Sequence, residues 1–465
     1  MLYQNTLDKS PFFSYNILKV IKKQVKQMSL KVLKFGGSSL ADANQFKRVA
    51  EIIKSEPERR YIVASAPGKR TPTDSKVTDL LYKCYELAAD EEDITEVFDE
   101  IKARYNSIIS DLGLDLDLSE NYEKIKNSLE HNAGRDYVAS RGEYLNAKIL
   151  ANYLGFSFID AKKCIFFKED GSFDPDKTNE VLAEYLSKHD KAVLPGFYGS
   201  MPNGTIKTFS RGGSDITGSL VARAARATVY ENWTDVSGFL MADPRCIDDP
   251  KPIDVITYKE LRELSYMGAT VLHEDAIFPV RYSKIPINIK NTNRPEDKGT
   301  LIVPSTDFVS SDVITGVAGK TGFSTITIEK DMMNAELGFG RRVLQVIEEN
   351  GVSFEHFPSG IDTMTVVVPT KELNSKRADI MSGICKAVNP ENIYVEENLA
   401  LIAIVGRGMV KAKGTAARIF LALANNGVNV RMIDQGSCEL NIIVGVDAND
   451  YITALKAIYR EFVKN

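Results

Sequence analysis

The chain has 465 residues, 43% of them hydrophobic and 26% charged, the balance of an ordinary globular protein with room for about three domains of ~150 residues. That balance excludes collagen-like, coiled-coil and wholly disordered readings. With 58 Lys and Arg against 63 Asp and Glu, a net charge of −5, nucleic acid is not an expected partner. The longest unbroken apolar stretch, Leu399–Val405, is far short of the ~20 residues of a membrane-spanning helix, so no membrane partner is expected either. Residues 1–28 read as an N-terminal extension: Lys19, Lys22, Lys23 and Lys26 give a basic amphipathic look, but no Arg is present as a transit peptide would need.

Leu30–Phe35 reads as a strand, Gly36-Gly37-Ser38-Ser39 as a turn, and Phe46, Val49, Ala50 and Ile53 fall at helical spacing. Tyr61–Ala64 is a second strand, stopped by Pro67-Gly68. Residues 78 to about 130 read as mostly helical with a loop near Gly113, and Arg135–Leu154 as a further helix. Short strands are expected near Phe158, at Ala192–Leu194, at Thr205–Phe209 and at Thr228–Trp233, with a glycine loop at Arg211-Gly212-Gly213-Ser214 opening a helix that ends near Ala227. This alternation predicts an α/β domain with a mainly parallel sheet.

From about residue 300 the texture changes and the chain repeats itself at an offset of 76. Asn350-Gly351-Val352 recurs as Asn426-Gly427-Val428. The same offset carries Gly338 onto Gly414, Val343 onto Ile419, Gly360 onto Gly436, and Ile326 and Ile328 onto Ile402 and Ile404. Each copy reads as a small α+β unit. Such a pair beside a larger α/β domain suggests regulation or assembly, or simple duplication of a structural unit.

The chemistry must come from few residue types. Cys84, Cys164, Cys246, Cys385 and Cys438 are odd in number and widely spaced, with no Cys-x-x-Cys. They fit neither a disulfide framework nor a zinc site and suit a reducing cytoplasm. The four histidines are scattered, and His273-Glu274 lacks the second His of a zincin helix, so no protein-bound metal site is expected. Lys34-Phe35-Gly36-Gly37-Ser38-Ser39 places glycine amides and a lysine at the end of a strand, where backbone N–H groups and a helix start attract an anion. Phe209-Ser210-Arg211-Gly212-Gly213-Ser214-Asp215 has the same logic, with Asp215 open to a capping role. Neither is a Walker A loop, Gly319-Lys320-Thr321 lacks that motif's first glycine, and no G-x-G-x-x-G is present. Two glycine loops in one α/β domain, with no metal cluster and no Ser-His-Asp set, point to phosphoryl transfer, which runs on positioning and charge neutralisation.

These motifs, with Ser140-Arg141-Gly142-Glu143, Trp233-Thr234-Asp235 and Gly268-Ala269-Thr270-Val271-Leu272-His273, occur in the order found in aspartate kinases of the amino-acid kinase superfamily. The duplicated unit resembles their paired ACT modules, and the resemblance covers about residues 29 to 465. It implies a three-layer αβα kinase domain with a mainly parallel sheet over 29–305, then two ferredoxin-like α+β ACT modules over 313–391 and 392–465. It implies an enzyme that moves the γ-phosphoryl group of MgATP to the side-chain carboxylate of L-aspartate, toward lysine, threonine and methionine. On that likeness Lys34 and Asp215 are catalytic, and Ser65, Thr78, Glu143 and Arg211 hold the substrate. Lys34, Gly36, Gly37, Ser38, Gly213, Ser214, Thr234, Asp235 and Arg245 face the nucleotide. An amino-acid effector, lysine or threonine with lysine favoured, would be held by Met333, Gly338, Phe339, Glu355 and Ser359, and the ACT modules would pair subunits into a homodimer or homotetramer. The chain departs from the family at Thr270, where many members carry a lysine, and in the run Ser65–Arg70. A catalytically dead ACT amino-acid sensor and another amino-acid kinase, acting on glutamate, acetylglutamate, carbamate or UMP, are the competing readings. The sensor predicts loss of Lys34, Asp215 or Arg211, all of which are present.

Overall fold

The computed structural model describes residues 29–210, 212–268, 278–305 and 312–463. The expected N-terminal extension, Arg211 and most of the Gly268–His273 motif lie outside the described residues. The chain divides into two compact units, Met1–Gly238 with Leu272–Pro304, and Phe239–Val271 with Ser305–Asn465.

In the first unit β1 (Lys31–Phe35), α1 (Ala43–Lys54) and β2 (Arg59–Ala64) open the fold. Three helices follow, α2 (Val77–Ala89), α3 (Thr95–Asp111) and α4 (Ser119–Glu130), then the long α5 (Arg135–Leu154). The expected break at Gly113 is present, with φ +65°. A second break, at the acidic run Asp90–Asp93, separates α2 from α3. There the Asp93 carboxylate accepts from the Thr95 N–H at 2.9 Å, a local turn that competes with helix continuation. The unit continues through β3 (Ser157–Phe158), α6 (Pro175–Ser187), β4 (Ala192–Pro195), the hairpin β5 (Tyr198–Ser200) and β6 (Ile206–Thr208), α7 (Gly213–Ala224) and β7 (Val229–Thr234). After β8 (Val255–Thr257) and α8 (Tyr258–Tyr266), which belong to the second unit, it closes with α9 (Phe278–Tyr282), β9 (Ile287–Asn291) and β10 (Thr300–Val303).

Within this unit the sheet order is β3-β4-β2-β1-β7-β9-β10. All its pairings are parallel except β9–β10. Four of the five residues of β1 and five of the six of β2 are buried, the signature of strands covered on both faces. The carboxyl ends of β1, β2, β4 and β7 therefore share one edge of the sheet, where open α/β sheets bind ligands. Gly36, Ser65, Gly196 and Asp235 each follow one of these strands.

The second unit holds a five-stranded antiparallel sheet built from β11 (Gly316–Glu329), β12 (Thr363–Pro369), β13 (Asn392–Val405), β14 (Val430–Asp434) and β15 (Asn441–Asp447), in the order β12-β11-β13-β15-β14. α10 (Phe339–Glu349), α11 (Thr370–Asn374), α12 (Arg377–Val388), α13 (Thr415–Asn425) and α14 (Tyr451–Phe462) complete it. The two long strands run the length of both repeat copies: Gly316 pairs with Val405, Phe323 with Leu399 and Glu329 with Asn392. Leu399–Val405 is wholly buried, which explains the continuous apolar run in the sequence. Among the described residues no helix is long and apolar enough to cross a membrane.

Candidate active site

Lys34 points from the centre of the sheet with only 8% of its surface exposed. Its Nζ lies 2.6 Å from Asp215 Oδ1 in the first turn of α7 and 3.4 Å from Asn232 Oδ1. Asn232 Nδ2 donates to the same Asp215 oxygen at 2.9 Å. Lys34 and Asn232 are direct partners in the β1–β7 register. Asn232 went unnoticed in the sequence, although two adjacent polar residues, Glu231 and Asn232, inside a short strand between Tyr230 and Trp233 were the available signal. The three groups form a fixed cation whose negative partner stands to one side, an arrangement that can meet a second anion.

The backbone around them leaves no room for a side chain at Gly37, Gly196 or Gly213. A Cβ on Gly37 would lie 2.9 Å from the Ala66 carbonyl oxygen and 3.1 Å from the Gly68 nitrogen, while Gly68 N–H donates to the Gly37 carbonyl at 2.8 Å. The loops after β1 and β2 are thus interlocked. Gly36 N–H donates to the Trp233 carbonyl at 3.0 Å, and Ser38 opens a short turn of 3₁₀ helix, Ser38–Leu40. On the other side Gly212 has φ +58°, a Cβ on Gly213 would lie 2.9 Å from Phe197 Cα, and one on Gly196 would lie 2.6 Å from Ser214 Oγ. Thr234 and Asp235 sit at the end of β7, bonded to each other at 3.2 Å. Arg245 belongs to the second unit. There it is exposed and held by Asp243, with Nη2 to Oδ2 at 2.6 Å.

Two buried side chains of α3 hold this edge from behind. Arg104, 4% exposed, donates to the carbonyls of Ala41, Gly68 and Ser75 at 3.2, 3.3 and 3.0 Å and pairs with Asp74 at 2.5 Å. Asp74 is also gripped by Arg70, and these hydrogen bonds outweigh burial and push its carboxyl well below the ordinary range. Tyr105 donates to the Gly142 carbonyl at 2.7 Å.

The described residues that the sequence assigns to the substrate lie on α5, in the first turn of α2 and just after β2. Glu143 is 5% exposed and its Oε2 has no hydrogen-bond partner. Burial pushes its carboxyl up to about 8, against the weaker opposing pull of backbone N–H groups, Ala66's among them, and of Arg141. Ser65 and Thr78 are half-buried, at the end of β2 and in the first turn of α2. Arg141, beside Glu143 in the sequence, has a different setting. Its guanidinium lies 4.7, 4.5 and 5.4 Å from the ring centres of Tyr137, Tyr144 and Tyr198, a cation–π cage that anchors the helix.

In the second unit Met333 and Phe339 are buried in the core of the first repeat copy with Val343 and Val366, and Gly338 caps α10 with φ +76°. Glu355 is half-buried, and its Oε2 accepts from the Tyr266 hydroxyl at 2.5 Å. Burial and this carboxylate push the Tyr266 phenol up to about 12. Ser359 is exposed and bridges to Met364.

A mainly parallel αβα sheet edge with two glycine loops, a Lys–Asp–Asn cluster and a buried carboxylate with one free oxygen defines a small-molecule kinase. The comparisons with known proteins agree. The model of the amino acid kinase family matches residues 29–291 and that of the ACT domain residues 402–462. Aspartokinase 3 of Bacillus subtilis is 38% identical over 452 residues, 93% of this chain and 98% of that protein. The crystal structure of Clostridium acetobutylicum aspartate kinase superposes with a TM-score of 0.87 at 53% identity, over 94% of this chain and 100% of that one. Escherichia coli aspartokinase III, in complex with aspartate and ADP, superposes with a TM-score of 0.71 at 25% identity, over 93% and 99%. The chain belongs to the amino acid kinase family and, within it, to the ACT-bearing aspartate kinases.

Proposed function

We propose that the chain phosphorylates the side-chain carboxylate of L-aspartate with the γ-phosphoryl group of MgATP, giving 4-phospho-L-aspartate, and that lysine inhibits it through the ACT modules. The observation that carries the substrate reading is Glu143: a buried carboxyl with a free oxygen has room for one more donor, and a cationic donor would also draw it into its ionised form. An α-ammonium group is such a cation, and Arg211 would take the α-carboxylate. With Ser65 and Thr78 these groups would leave the side-chain carboxylate facing Lys34. Lys34 would neutralise charge building on the transferring phosphoryl group, with the amides of Gly36, Gly37, Ser38, Gly213 and Ser214 around it. Asp215 and Asn232 hold the lysine in place, so little reorganisation is needed during transfer. Thr234, Asp235 and Arg245 are assigned to the nucleotide. Among the described residues no cluster of three or more His, Cys, Asp or Glu side chains gathers around a metal. Magnesium belongs to the nucleotide substrate, and phosphate oxygens with one carboxylate, Asp215, suit its preference for oxygen ligands.

The catalytic domain would span 29–305 and the ACT modules 313–391 and 392–465, with the effector taken by Glu355, Gly338, Met333, Phe339 and Ser359. Lysine is favoured because the Escherichia coli relative has been solved with lysine and aspartate, at a TM-score of 0.70 and 25% identity. Assembly into a homodimer or homotetramer is supported by Met332, Leu337 and Ile361, apolar and 72%, 95% and 67% exposed. They sit on loops joined by the Asn334 N–H to Ile361 carbonyl bond. A cytoplasmic setting and the pathway to lysine, threonine and methionine complete the reading.

ATP turnover with L-aspartate, with the acyl phosphate trapped by hydroxylamine, tests it. Hydroxamate that depends on aspartate is expected, and lysine is expected to suppress it. No hydroxamate from folded protein would move the chain to an inactive amino-acid sensor.

A further inference from the structure

Asn146 lies on α5 one turn beyond Glu143, so the two side chains share a face of that helix. It is fully buried. Its Nδ2 donates to the Ser65 carbonyl at 2.7 Å, and its Oδ1 has no partner. The Ala66 N–H is turned toward the Glu143 carboxylate and pulls against its upward shift. The Ser65 carbonyl and the Ala66 N–H are the two ends of one peptide group, so α5 grips that group at its carbonyl and sets a carboxylate against its N–H. The close approach of Gly142, whose Cβ would lie 2.8 Å from Ala66 Cβ, permits this grip. The grip also fixes which way the Asn146 amide faces: turned over, it would set its oxygen against the Ser65 carbonyl. What remains free is one acceptor on each side chain, Glu143 Oε2 and Asn146 Oδ1. Each is buried, and each unsatisfied acceptor costs about 1–3 kcal/mol.

We infer that Asn146 completes the receptor for the α-ammonium group of the substrate, its Oδ1 accepting one N–H while Glu143 Oε2 accepts another. This rests on the aspartate reading above and deepens it. An ammonium group brings three donors and no acceptor, so it satisfies both orphan oxygens at once. A carboxylate would be repelled by both. The pair therefore decides which end of aspartate enters here and leaves the side-chain carboxylate for the phosphoryl group. The neutral amide adds an acceptor without adding a second buried charge beside Glu143.

The test compares Asn146→Ala and Asn146→Ser in the full chain by the hydroxamate assay, with thermal unfolding as a control for folding. A hydrogen bond to a charged group is worth about 1.5–3 kcal/mol, so KM for aspartate should rise about 10–100-fold. KM for ATP should stay within about threefold of the wild-type value, since uniform binding is lost only at the aspartate end. Inhibition by succinate, which carries both carboxylates but no ammonium, should be unchanged. An unchanged KM for aspartate overturns the inference. So does an equal weakening of aspartate and succinate, which is what a purely structural role would produce. If both variants fail to fold, a structure of the wild-type chain with L-aspartate decides: the ammonium nitrogen is expected within about 3.2 Å of Asn146 Oδ1, and a nitrogen out of hydrogen-bond reach overturns the assignment. Wild-type protein that makes no hydroxamate from aspartate would instead sink the broader functional reading.

Discussion

Two glutamates, one in each unit, are both buried and differ in what the fold supplies to their oxygens. Glu260 in α8 is fully buried. The Thr257 N–H and hydroxyl donate to its Oε2 at 2.9 and 2.7 Å. Its Oε1 accepts from the Thr315 hydroxyl at 2.6 Å and from the Arg407 N–H at 3.1 Å. Burial alone would raise its carboxyl, but these donors outweigh it and hold the group below the ordinary range. Glu143 keeps an empty oxygen, and burial raises it to about 8. Burial by itself therefore does not mark a functional acid. The number of donors the fold supplies separates the two: a completed carboxylate is part of the architecture, and an incomplete one has room for a further donor.

Substitutions that separate stability from activity sharpen this contrast. Glu260→Ala strands Thr257, Thr315 and Arg407 in the interior of the second unit. The loss of a buried ionic hub should remove about 3–5 kcal/mol from that unit's unfolding free energy, read by urea denaturation, while kcat per folded molecule changes little. Lys34→Met is expected to do the reverse. It should lower kcat about 10²–10³-fold, the ~3–4 kcal/mol of a preorganised charge donor, with KM for aspartate nearly unchanged. A Lys34→Met enzyme of normal kcat would remove the phosphoryl group from that end of the site.

Glu143→Gln is the sharper test, because it should weaken function and strengthen the empty fold. A carboxyl raised from 4.5 to about 8 in the folded state contributes stability that is complete below the unfolded value and is lost as pH climbs through 8. The variant carries no such loss, so its melting temperature without ligand should exceed the wild type's above pH 8. Its KM for aspartate should rise at least tenfold. For the wild type, an ammonium ligand needs the ionised acid, so aspartate affinity should climb as pH rises toward 8 and level off above it. Glu260, whose carboxyl is lowered, has the opposite sign: its stabilisation is present above 4.5 and fades only in acid. A wild-type aspartate affinity that is flat from pH 6 to 8 would break the contrast.

Much of this was legible in the sequence because glycine spacing and apolar periodicity are local. The strand–glycine–helix starts at Lys34 and Gly213 and the 76-residue repeat follow from chain neighbours alone. The repeat even predicts where its copies differ, since Glu355 maps onto Arg431, which turns to Glu396 at 3.4 Å. What stayed hidden depends on residues far apart in the chain meeting in space. Asn232 reaches Lys34 across 198 positions, and Arg104 fastens two loops from a helix with no motif. Arg141 and Glu143 look alike in the motif Ser-Arg-Gly-Glu, yet Ser140 and three tyrosines, one of them Tyr198, hold the arginine, while one oxygen of the acid stays without a partner. Pattern names the residue, but only packing says whether its valence is already filled.

Glu355 stands between these cases, and the smallest predicted effect follows from that. Its Oε2 has one donor, the Tyr266 hydroxyl, at the end of α8, the helix that Glu260 anchors. On the role proposed for Glu355, an effector ammonium must displace or share that hydroxyl, so the tyrosine competes with the effector for the same oxygen. A ligand shifts an equilibrium only by its differential affinity for the two arrangements. Removing the competitor with Tyr266→Phe should therefore tighten inhibition by lysine, by up to about tenfold for a hydrogen bond worth ~1–1.5 kcal/mol, and leave kcat without lysine unaltered. Glu355→Gln should weaken inhibition instead. If Tyr266→Phe left the inhibition curve where it was, the Tyr266–Glu355 bond would belong with the filled valences of Glu260, and the effector would have to be sought elsewhere on the first repeat copy.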